Sequence, residues 1–220
     1  MSSTVTLYGA PYSVYVRIAR LALLEKGIEY DLKPIDIFAD SPETADYKAT
    51  LNPFGKIPTL RHGDLALYET RAIVRYVDEA FTGPALQPAS ATERARMEQV
   101  IGIVDSYAYP TLVWQCFVPD RRRQDGDPDA AQTIEAALPK ARLCLAELDR
   151  LLGGHPLFGG SELSLADLYL TPVLGYFALV PEAGKMLAAH PDLSGWWNGM
   201  RERPAWRQIS DGPENQRHTD

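Results

Sequence analysis

The segment Gly-Pro-Ala-Leu-Gln-Pro-Ala-Ser, at residues 83–90, divides the chain of 220 residues into two parts with different hydrophobic patterns. It contains two prolines and has neither a helical nor a strand period, as expected for a linker between domains. Strand-like and helix-like stretches alternate before it, whereas only helical stripes follow it. The sequence therefore predicts two domains, at residues 1–82 and 91–220, and confines any sheet to the first.

The first part begins with a strand and a helix. Val5 and Leu7 share one face of a short strand, and the apolar spacing then becomes helical from about residue 12 to residue 26. The remaining predicted elements are, in chain order, a strand at 28–32, a helix from Pro42 behind the cap Ser41, a hairpin of 57–60 with 65–68 joined by 61–64, and a helix at 70–80. This order, βαβ-α-ββ-α, predicts a small α/β domain whose first two strands are parallel.

The second part is predicted to be all α-helical. One apolar stripe runs from Ile134 to Leu152 and contains Pro139, where we expect the helix to bend or to begin. The stretch from Leu165 to Val180 is apolar on nearly all sides, which is typical of a helix at the centre of a domain. The tail after Asp211 lacks large apolar residues, and we expect it to be disordered.

Charge and cysteine content argue against several classes of protein. The 29 acidic and 22 basic residues give a net charge of -7, which disfavours a general binder of nucleic acid or anionic membranes. Cys116 and Cys144 are too few and too far apart for a disulfide framework or a cysteine-ligated zinc site. We expect a cytoplasmic protein with no metal, no tightly bound cofactor, no signal peptide and no membrane span.

The stretch Asn-Pro-Phe-Gly-Lys-Ile-Pro at residues 52–58 carries the first ligand signal. It places Pro58 at the mouth of a strand, where the missing N–H removes a donor from the ladder. A cis peptide before Pro58 would leave the N–H and C=O of Ile57 free to pair with the backbone of a bound peptide. The alternative is an ordinary edge-strand proline, since the peptide bond before proline is usually trans.

The junction Leu-Tyr-Glu-Thr-Arg-Ala-Ile at residues 67–73 carries the second ligand signal, because a strand there runs directly into a helix. A helix start presents unpaired N–H groups and the positive end of the helix dipole. Thr70 and Arg71 could therefore receive a carboxylate, and Glu69 an ammonium group. A plain threonine cap between two solvated charges explains the same residues equally well.

Taken together, these motifs resemble the glutathione transferase family. The matching features are a strand at 7–10 before a serine-bearing helix start, Glu-Lys-Gly at 25–27, the stretch at 52–58, Glu-Thr-Arg-Ala-Ile at 69–73, and Ser-Leu-Ala-Asp-Leu at 164–168. The resemblance covers roughly residues 4–208 and is closest, around Ser13, to the serine-using classes, particularly phi-like and related bacterial enzymes. It implies a thioredoxin-like first domain, an all-helical second domain, and transfer of glutathione to a hydrophobic electrophile.

The resemblance also implies a glutathione site made of five residues: Lys56, Ile57, Pro58, Glu69 and Thr70. Ile57, with Pro58 cis, would bond the cysteinyl backbone, while Glu69 and Thr70 would hold the γ-glutamyl end. Lys56 would help to hold the glycyl carboxylate. Some phi-like members carry basic residues near the start of the second helix for this purpose, and none is evident here.

Ser13 is the candidate for activating the glutathione sulfur, which must become a thiolate to be a good nucleophile. Lowering a thiol pKa from about 8.5 by about two requires roughly 2.7 kcal/mol, within reach of one or two hydrogen bonds and a helix dipole. Ser13, near the start of the first helix, could donate one such bond or could simply cap the helix. Tyr8 is the rival, because tyrosine-using classes place their hydroxyl at the end of the same strand.

The electrophile is expected between the domains, against five aromatic residues: Tyr12, Tyr15, Tyr107, Trp114 and Phe117. Each of these could instead be a core residue. The resemblance further implies a two-fold homodimer, in which Phe54 inserts into a pocket of the partner. Packing of Phe54 within its own domain is the alternative.

Two other functions are compatible with a thioredoxin-like fold. A thiol-disulfide oxidoreductase needs a cysteine at the first helix, and the first cysteine here is Cys116, so we discount that function. A non-catalytic protein that binds glutathione or a partner remains the alternative, because a fold alone does not establish an activity. The sequence also leaves open which electrophile is used, and whether the reaction is transfer, isomerisation, dehalogenation or peroxide reduction.

Overall fold

The computed structural model describes residues 4–210 and divides them into two compact units. The second unit is Leu86–Glu202, while residues 4–85 and 203–210 form the first. Residues 203–210 were expected in the helical domain, but they pack on the first helix of the chain and so belong to the first unit. The predicted disordered tail after Asp211 lies outside the described residues.

The first unit has a four-stranded mixed sheet at its centre. Its elements are β1 (Val5–Tyr8), α1 (Val14–Glu25), β2 (Asp31–Lys33), α2 (Pro42–Thr50), β3 (Thr59–His62), β4 (Leu65–Tyr68) and α3 (Thr70–Ala80). The strand order is β2-β1-β3-β4, with β1 parallel to β2 and both other pairs antiparallel. The predicted order βαβ-α-ββ-α is confirmed.

The second strand is shorter than the sequence indicated. Residues 28–32 alternate in polarity, but β2 spans only Asp31–Lys33. The N–H of Ile28 instead bonds the Leu23 carbonyl at 2.8 Å, in the turn that ends α1 around Gly27, whose φ is 71°. A left-handed glycine followed by this long bond is the usual C-terminal cap of a helix, and it delays the start of the strand.

The turn of the hairpin is also tighter than predicted. Residues 61–64 were expected to form the loop, but Arg61 and His62 pair with Ala66 and Leu65 in the ladder between β3 and β4. Only residues 63 and 64 remain in the turn, where Gly63 has a φ of 59°. A two-residue turn of this kind favours glycine because its backbone twist requires positive φ.

The second unit is predominantly helical, as predicted. Its elements are α4 (Ala91–Ile103), a π-helical segment (Val104–Phe117), α5 (Val118–Gln124), α6 (Ala130–Leu152), α7 (Leu165–Phe177), α8 (Ala183–Ala188) and α9 (Pro191–Glu202), and the chain then returns to the first unit as α10 (Pro204–Ser210). Pro110, which has no N–H to donate, lies inside the π-helical segment. Pro139 was expected to bend a helix or begin it, and it lies inside α6, which begins at Ala130.

Helix α7 is buried on nearly all sides, as its sequence indicates. At its start the fully buried Asp167 carboxylate accepts bonds from the Ser164 N–H at 2.8 Å, the Trp196 indole at 2.8 Å and the Phe158 N–H at 2.9 Å. Burial raises the pKa of the Asp167 carboxyl, and these hydrogen bonds oppose that rise. The carboxylate joins the start of α7 to α9 and to the preceding turn.

No helix within residues 4–210 is long and apolar enough to cross a bilayer.

Candidate functional site

The register of the sheet brings the predicted site segments to one end of the first unit. Tyr8, which ends β1, pairs with Lys33 of β2 and with Thr59, which begins β3. Thr59 pairs in turn with Tyr68, which ends β4. Neighbouring strands lie about 4.8 Å apart. The segments that follow β1, precede β3 and follow β4 therefore emerge side by side, and they contain the predicted residues Ser13, Lys56, Ile57, Pro58, Glu69 and Thr70.

The turn between β1 and α1 lies against the segment that precedes β3. Gly9 has a φ of 154°, and a Cβ built on it would collide with Val16 of α1 and lie 3.3 Å from the Cβ of Ile57. The turn closes with a 3.0 Å bond from the Ser13 N–H to the Ala10 carbonyl. Glycine at position 9 thus allows the backbone before Ser13 to approach Ile57 closely.

Ser13 is the N-cap residue of α1, yet its side chain makes no capping hydrogen bond. Ser41 and Ser90, the N-caps of α2 and α4, use their hydroxyls in the ordinary way, each accepting an N–H from three residues ahead at 3.2 Å. Ser13 is half-buried, and its backbone is extended with φ -66° and ψ 130°. Capping was the competing explanation for Ser13, and the geometry of α1 does not support it.

Tyr8, the rival, is half-buried at the end of β1, with its ring centroid 6.4 Å from that of Tyr47. It has a packing role in the sheet.

The loop before β3 contains the cis peptide bond between Ile57 and Pro58, so that prediction is confirmed. The carbonyl of Lys56 accepts two hydrogen bonds, from the Tyr47 hydroxyl at 2.6 Å and from the Asn52 side-chain amide at 2.8 Å. The Tyr47 hydroxyl also lies 2.7 Å from the Thr59 hydroxyl. The backbone next to Ile57 is therefore held from beneath by two buried side chains.

Tyr47 and Asn52 were not singled out from the sequence. A signal exists for each. Asn52 precedes a proline, and its side-chain oxygen accepts the Phe54 N–H at 3.0 Å, which is the local turn that asparagine favours. Tyr47 is the one aromatic residue of α2, a helix whose other side chains are small or polar.

Glu69 has φ 70° and ψ 111°, and within residues 4–210 it is the only residue other than glycine with a positive φ. It is the exposed N-cap residue of α3 and makes no side-chain capping bond, while Thr70 begins the helix and is buried. A backbone conformation of this kind costs about 1–3 kcal/mol and is found most often at functional sites. Glu69 therefore stands at the start of α3, where the first N–H groups have no acceptor within the helix.

The five predicted electrophile residues divide between the units. Tyr12 and Tyr15 flank Ser13 and are half-buried, and burial, followed by the charge of Asp36, raises the pKa of Tyr12. The other three belong to the π-helical segment: Tyr107 is 63% exposed, Trp114 is 52% exposed, and the half-buried Phe117 lies with its ring centroid 4.6 Å from that of Tyr176. Neither Tyr107 nor Trp114 is a core residue of its unit.

Phe54, the predicted dimer anchor, is 68% exposed on the loop before β3. Its ring meets that of Tyr68 edge to face, with centroids 6.0 Å apart. One edge of Phe54 is therefore supported by its own unit, while most of its surface remains open.

Comparison with known proteins identifies relatives over nearly the whole chain. A family model described as "Glutathione S-transferase, N-terminal domain" matches residues 7–85, and "Glutathione S-transferase, C-terminal domain" matches residues 103–204. Glutathione S-transferase 3 of Zea mays is 32% identical over 208 residues, which are 92% of this chain and 91% of the relative. Glutathione S-transferase F10 of Arabidopsis thaliana is 30% identical over 209 residues, which are 93% and 95% of the two chains.

Solved structures that are similar to this chain belong to the same family as these relatives. The apo structure of a glutathione S-transferase III matches with a TM-score of 0.81 and 32% identity, covering 96% of this chain and 97% of the other. A theta class glutathione S-transferase of Xanthomonas axonopodis pv. citri, solved with glutathione bound, matches with a TM-score of 0.76 and 30% identity, covering 94% and 96%.

The support beneath the loop before β3 can be tested by replacing Tyr47 with phenylalanine. Tyr47→Phe leaves the carbonyl of Lys56 with one fewer donor and the buried Thr59 hydroxyl without its partner. We expect the free energy of unfolding to fall by about 1–3 kcal/mol, and amide exchange at Gly55 to become faster. Urea unfolding and hydrogen exchange measure the two effects.

Tyr76→Phe is the matched control, because the half-buried Tyr76 hydroxyl makes one 2.8 Å bond, to Nδ1 of His62, away from this loop. We expect a smaller loss of stability and unchanged exchange at Gly55. Equal exchange at Gly55 in both variants would show that Tyr47 does not organise the loop.

Proposed function

The chain belongs to the glutathione S-transferase family, and from this premise we propose that its Ser13 hydroxyl stabilises the thiolate of bound glutathione for attack on a hydrophobic electrophile. The observation that carries the proposal is the Ser13 side chain, which makes no capping bond and stands at the end of the sheet where the segments containing Ile57 and Glu69 also emerge. Ser13 acts as a hydrogen-bond donor to an anion, and neither as a nucleophile nor as a base.

The dimensions of this end of the sheet support binding of a tripeptide. An extended tripeptide is about 10 Å long, close to the distance of about 9.6 Å across three neighbouring strands. We propose that Ile57 pairs with the backbone of the central cysteinyl residue in antiparallel fashion. Glu69 receives the γ-glutamyl ammonium and Thr70, with the start of α3, receives its carboxylate. Lys56 helps to neutralise the glycyl carboxylate.

The chemical step transfers the whole glutathionyl group, and it begins when the bound thiol gives its proton to water and becomes the thiolate. The thiolate supplies the electron pair for a new bond between sulfur and an electrophilic carbon, and any leaving group departs with the electrons of its own bond. The first N–H groups of α1 and its dipole add to the Ser13 bond in stabilising the anion. We propose that the electrophile contacts Tyr12 and Tyr15, which lie in the same unit as Ser13.

We also propose a reducing, cytoplasmic setting for the enzyme. Cys116 and Cys144 are both free and buried. Burial and, next, the nearby charge of Glu182 raise the pKa of the Cys116 thiol to about 11, so it stays protonated and unreactive at neutral pH. Two unpaired thiols suit a compartment in which disulfides do not persist.

A homodimer completes the proposal, with Phe54 as its anchor. A phenylalanine that is mostly exposed and held at one edge by Tyr68 presents a defined apolar surface. Burying one such side chain against a partner contributes about 1.5–3 kcal/mol, and a two-fold interface uses the contact twice.

Replacing Ser13 tests the thiolate assignment. Without the hydroxyl, Ser13→Ala should raise the pKa of the bound glutathione thiol by about one or more and lower turnover by about ten- to a thousand-fold. Ultraviolet titration of the bound thiolate and steady-state kinetics measure these effects. Because Ser13 makes no capping bond, stability should change little, whereas Ser41→Ala should cost about 1 kcal/mol and leave the thiol unaffected.

Tyr8→Phe separates the two candidates. We expect a bound-thiol pKa close to that of the wild type. A raised pKa in Tyr8→Phe together with an unchanged one in Ser13→Ala would reverse the assignment, and a wild-type complex without thiolate would favour the non-catalytic alternative.

Glu69 offers a test in which stability and binding move in opposite directions. Glu69→Gly removes both the carboxylate and the cost of a positive φ, so the free energy of unfolding should rise by about 1 kcal/mol while glutathione affinity falls by about 1.5–3 kcal/mol. Glu69→Ala should lose the same affinity without the gain in stability. Calorimetric titration with glutathione that finds either variant binding as tightly as the wild type would refute the role of Glu69.

Phe54→Ala tests the anchor, with Phe38→Ala as the control because Phe38 is also a mostly exposed phenylalanine, at 77%. We expect Phe54→Ala to weaken the dimer at least about tenfold, since an apolar side chain is lost from each copy. Light scattering over a concentration series measures this. A monomeric wild type at micromolar concentration would contradict the dimer, and equal behaviour of the two variants would contradict only the anchor.

A further inference from the structure

Helix α1 carries two buried arginines, Arg17 and Arg20, one turn apart. A buried guanidinium is costly unless its N–H groups meet acceptors and its face meets a suitable surface. Arg20 donates from Nε to the Tyr30 hydroxyl at 2.9 Å, next to β2. Arg17 donates from Nε to the carbonyl of Pro11 at 3.1 Å, in the turn that leads to Ser13. The two side chains thus serve different parts of the same unit.

Arg17 bonds two residues of the turn that contains Ser13. Its side chain bonds the Pro11 carbonyl, and its backbone N–H bonds the Ser13 carbonyl at 2.9 Å. The Ser13 N–H in turn bonds Ala10 at 3.0 Å. A rotation about the Cα–C bond of Pro11 would turn its carbonyl away from Arg17, and it would also move Ser13 and its hydroxyl, which come later in the chain.

Helix α10 covers the guanidinium of Arg17. The central carbon of that group lies 5.8 Å from the ring centroid of the buried Trp206. A two-pronged ion pair anchors α10 on the end of α1, with Nε and Nη2 of Arg203 at 2.8 and 2.7 Å from the two carboxylate oxygens of Glu25. Because a guanidinium is planar, contact with an aromatic face restricts the direction in which its N–H groups point.

We propose that Arg17, covered by Trp206, is a positioning residue for Ser13. Helix α10, which carries Trp206, would then fix the direction of the hydroxyl that stabilises the glutathione thiolate. This inference rests on the proposed role of Ser13. Arg17 acts on Ser13 through the turn between them and does not itself contact the substrate. A displacement of about 1 Å in a group that must meet a reacting atom can lower a rate by about a hundredfold, so a small rotation of this turn has a large effect.

Arg17→Lys tests the inference, because lysine keeps the positive charge and loses the planar guanidinium whose Nε bonds Pro11 and which lies over the Trp206 ring. We expect the pKa of bound glutathione thiol to rise by about one and kcat to fall by about ten- to a hundredfold, while the KM for glutathione changes by less than about threefold. Arg20→Lys is the matched control, a buried arginine of the same helix that bonds Tyr30 instead. It should lower thermal stability and leave the bound-thiol pKa as in the wild type.

Two further variants make the result decisive. Arg17→Met removes the charge, and a raised pKa in Arg17→Met alone, with a normal one in Arg17→Lys, would show action through charge and overturn positioning. Trp206→Leu leaves Arg17 in place without its covering ring, and it should raise the pKa of the bound thiol as Arg17→Lys does. It provides the test if Arg17→Lys fails to fold. A bound-thiol pKa in Arg17→Lys, or in Trp206→Leu, equal to that of Arg20→Lys would also overturn the inference. If Ser13→Ala leaves the wild-type pKa unchanged, the proposed function itself fails and the inference falls with it.

Discussion

The backbone pairing of Thr59 with Tyr8 on one side and Tyr68 on the other is the constraint on which the candidate site depends. It brings into line three chain segments that are distant in the sequence, so that each leaves the sheet at the same end. A slip of one residue in either ladder would turn the side chains of a strand to the opposite face and displace the segment attached to it. The fully buried Thr59 hydroxyl, in contact with that of Tyr47, fixes the same residue through its side chain.

Two local departures from ordinary helix starts coincide at this end of the sheet. Ser13 caps α1 without using its hydroxyl, and Glu69, the N-cap residue of α3, has a positive φ that costs about 1–3 kcal/mol. Elsewhere in the chain Ser41 and Ser90 make the usual capping bonds. The buried core of the unit offsets the local cost, and the polar groups kept out of intrahelical bonds are the ones proposed to meet the ligand.

Buried side chains support the segments that leave the sheet at this end, and helix α10 at the end of the described chain adds to that support. Tyr47 and Asn52 hold the Lys56 carbonyl, and Arg17 holds the turn before Ser13. The second unit has a comparable arrangement of its own, in which a buried carboxylate, Asp167, collects backbone and indole N–H groups at the start of its central helix. In both units a buried polar group with satisfied hydrogen bonds connects elements that the hydrophobic core alone would leave free to shift.

The sequence by itself determined the order and type of the elements of the first unit and the helical character of the second, because apolar period, caps and turn residues act over a few neighbouring positions. Helix α3 was predicted from Thr70 to Ala80 and is found there. It also indicated the cis Pro58 through its position at a strand mouth and through family resemblance. Tertiary structure alone decided the unused cap of Ser13, the support of Lys56 by Tyr47, and the placement of α10 on the first unit through Arg17 and residues far along the chain. These three features depend on contacts between side chains that are distant in the sequence, and a local sequence pattern carries no information about such contacts.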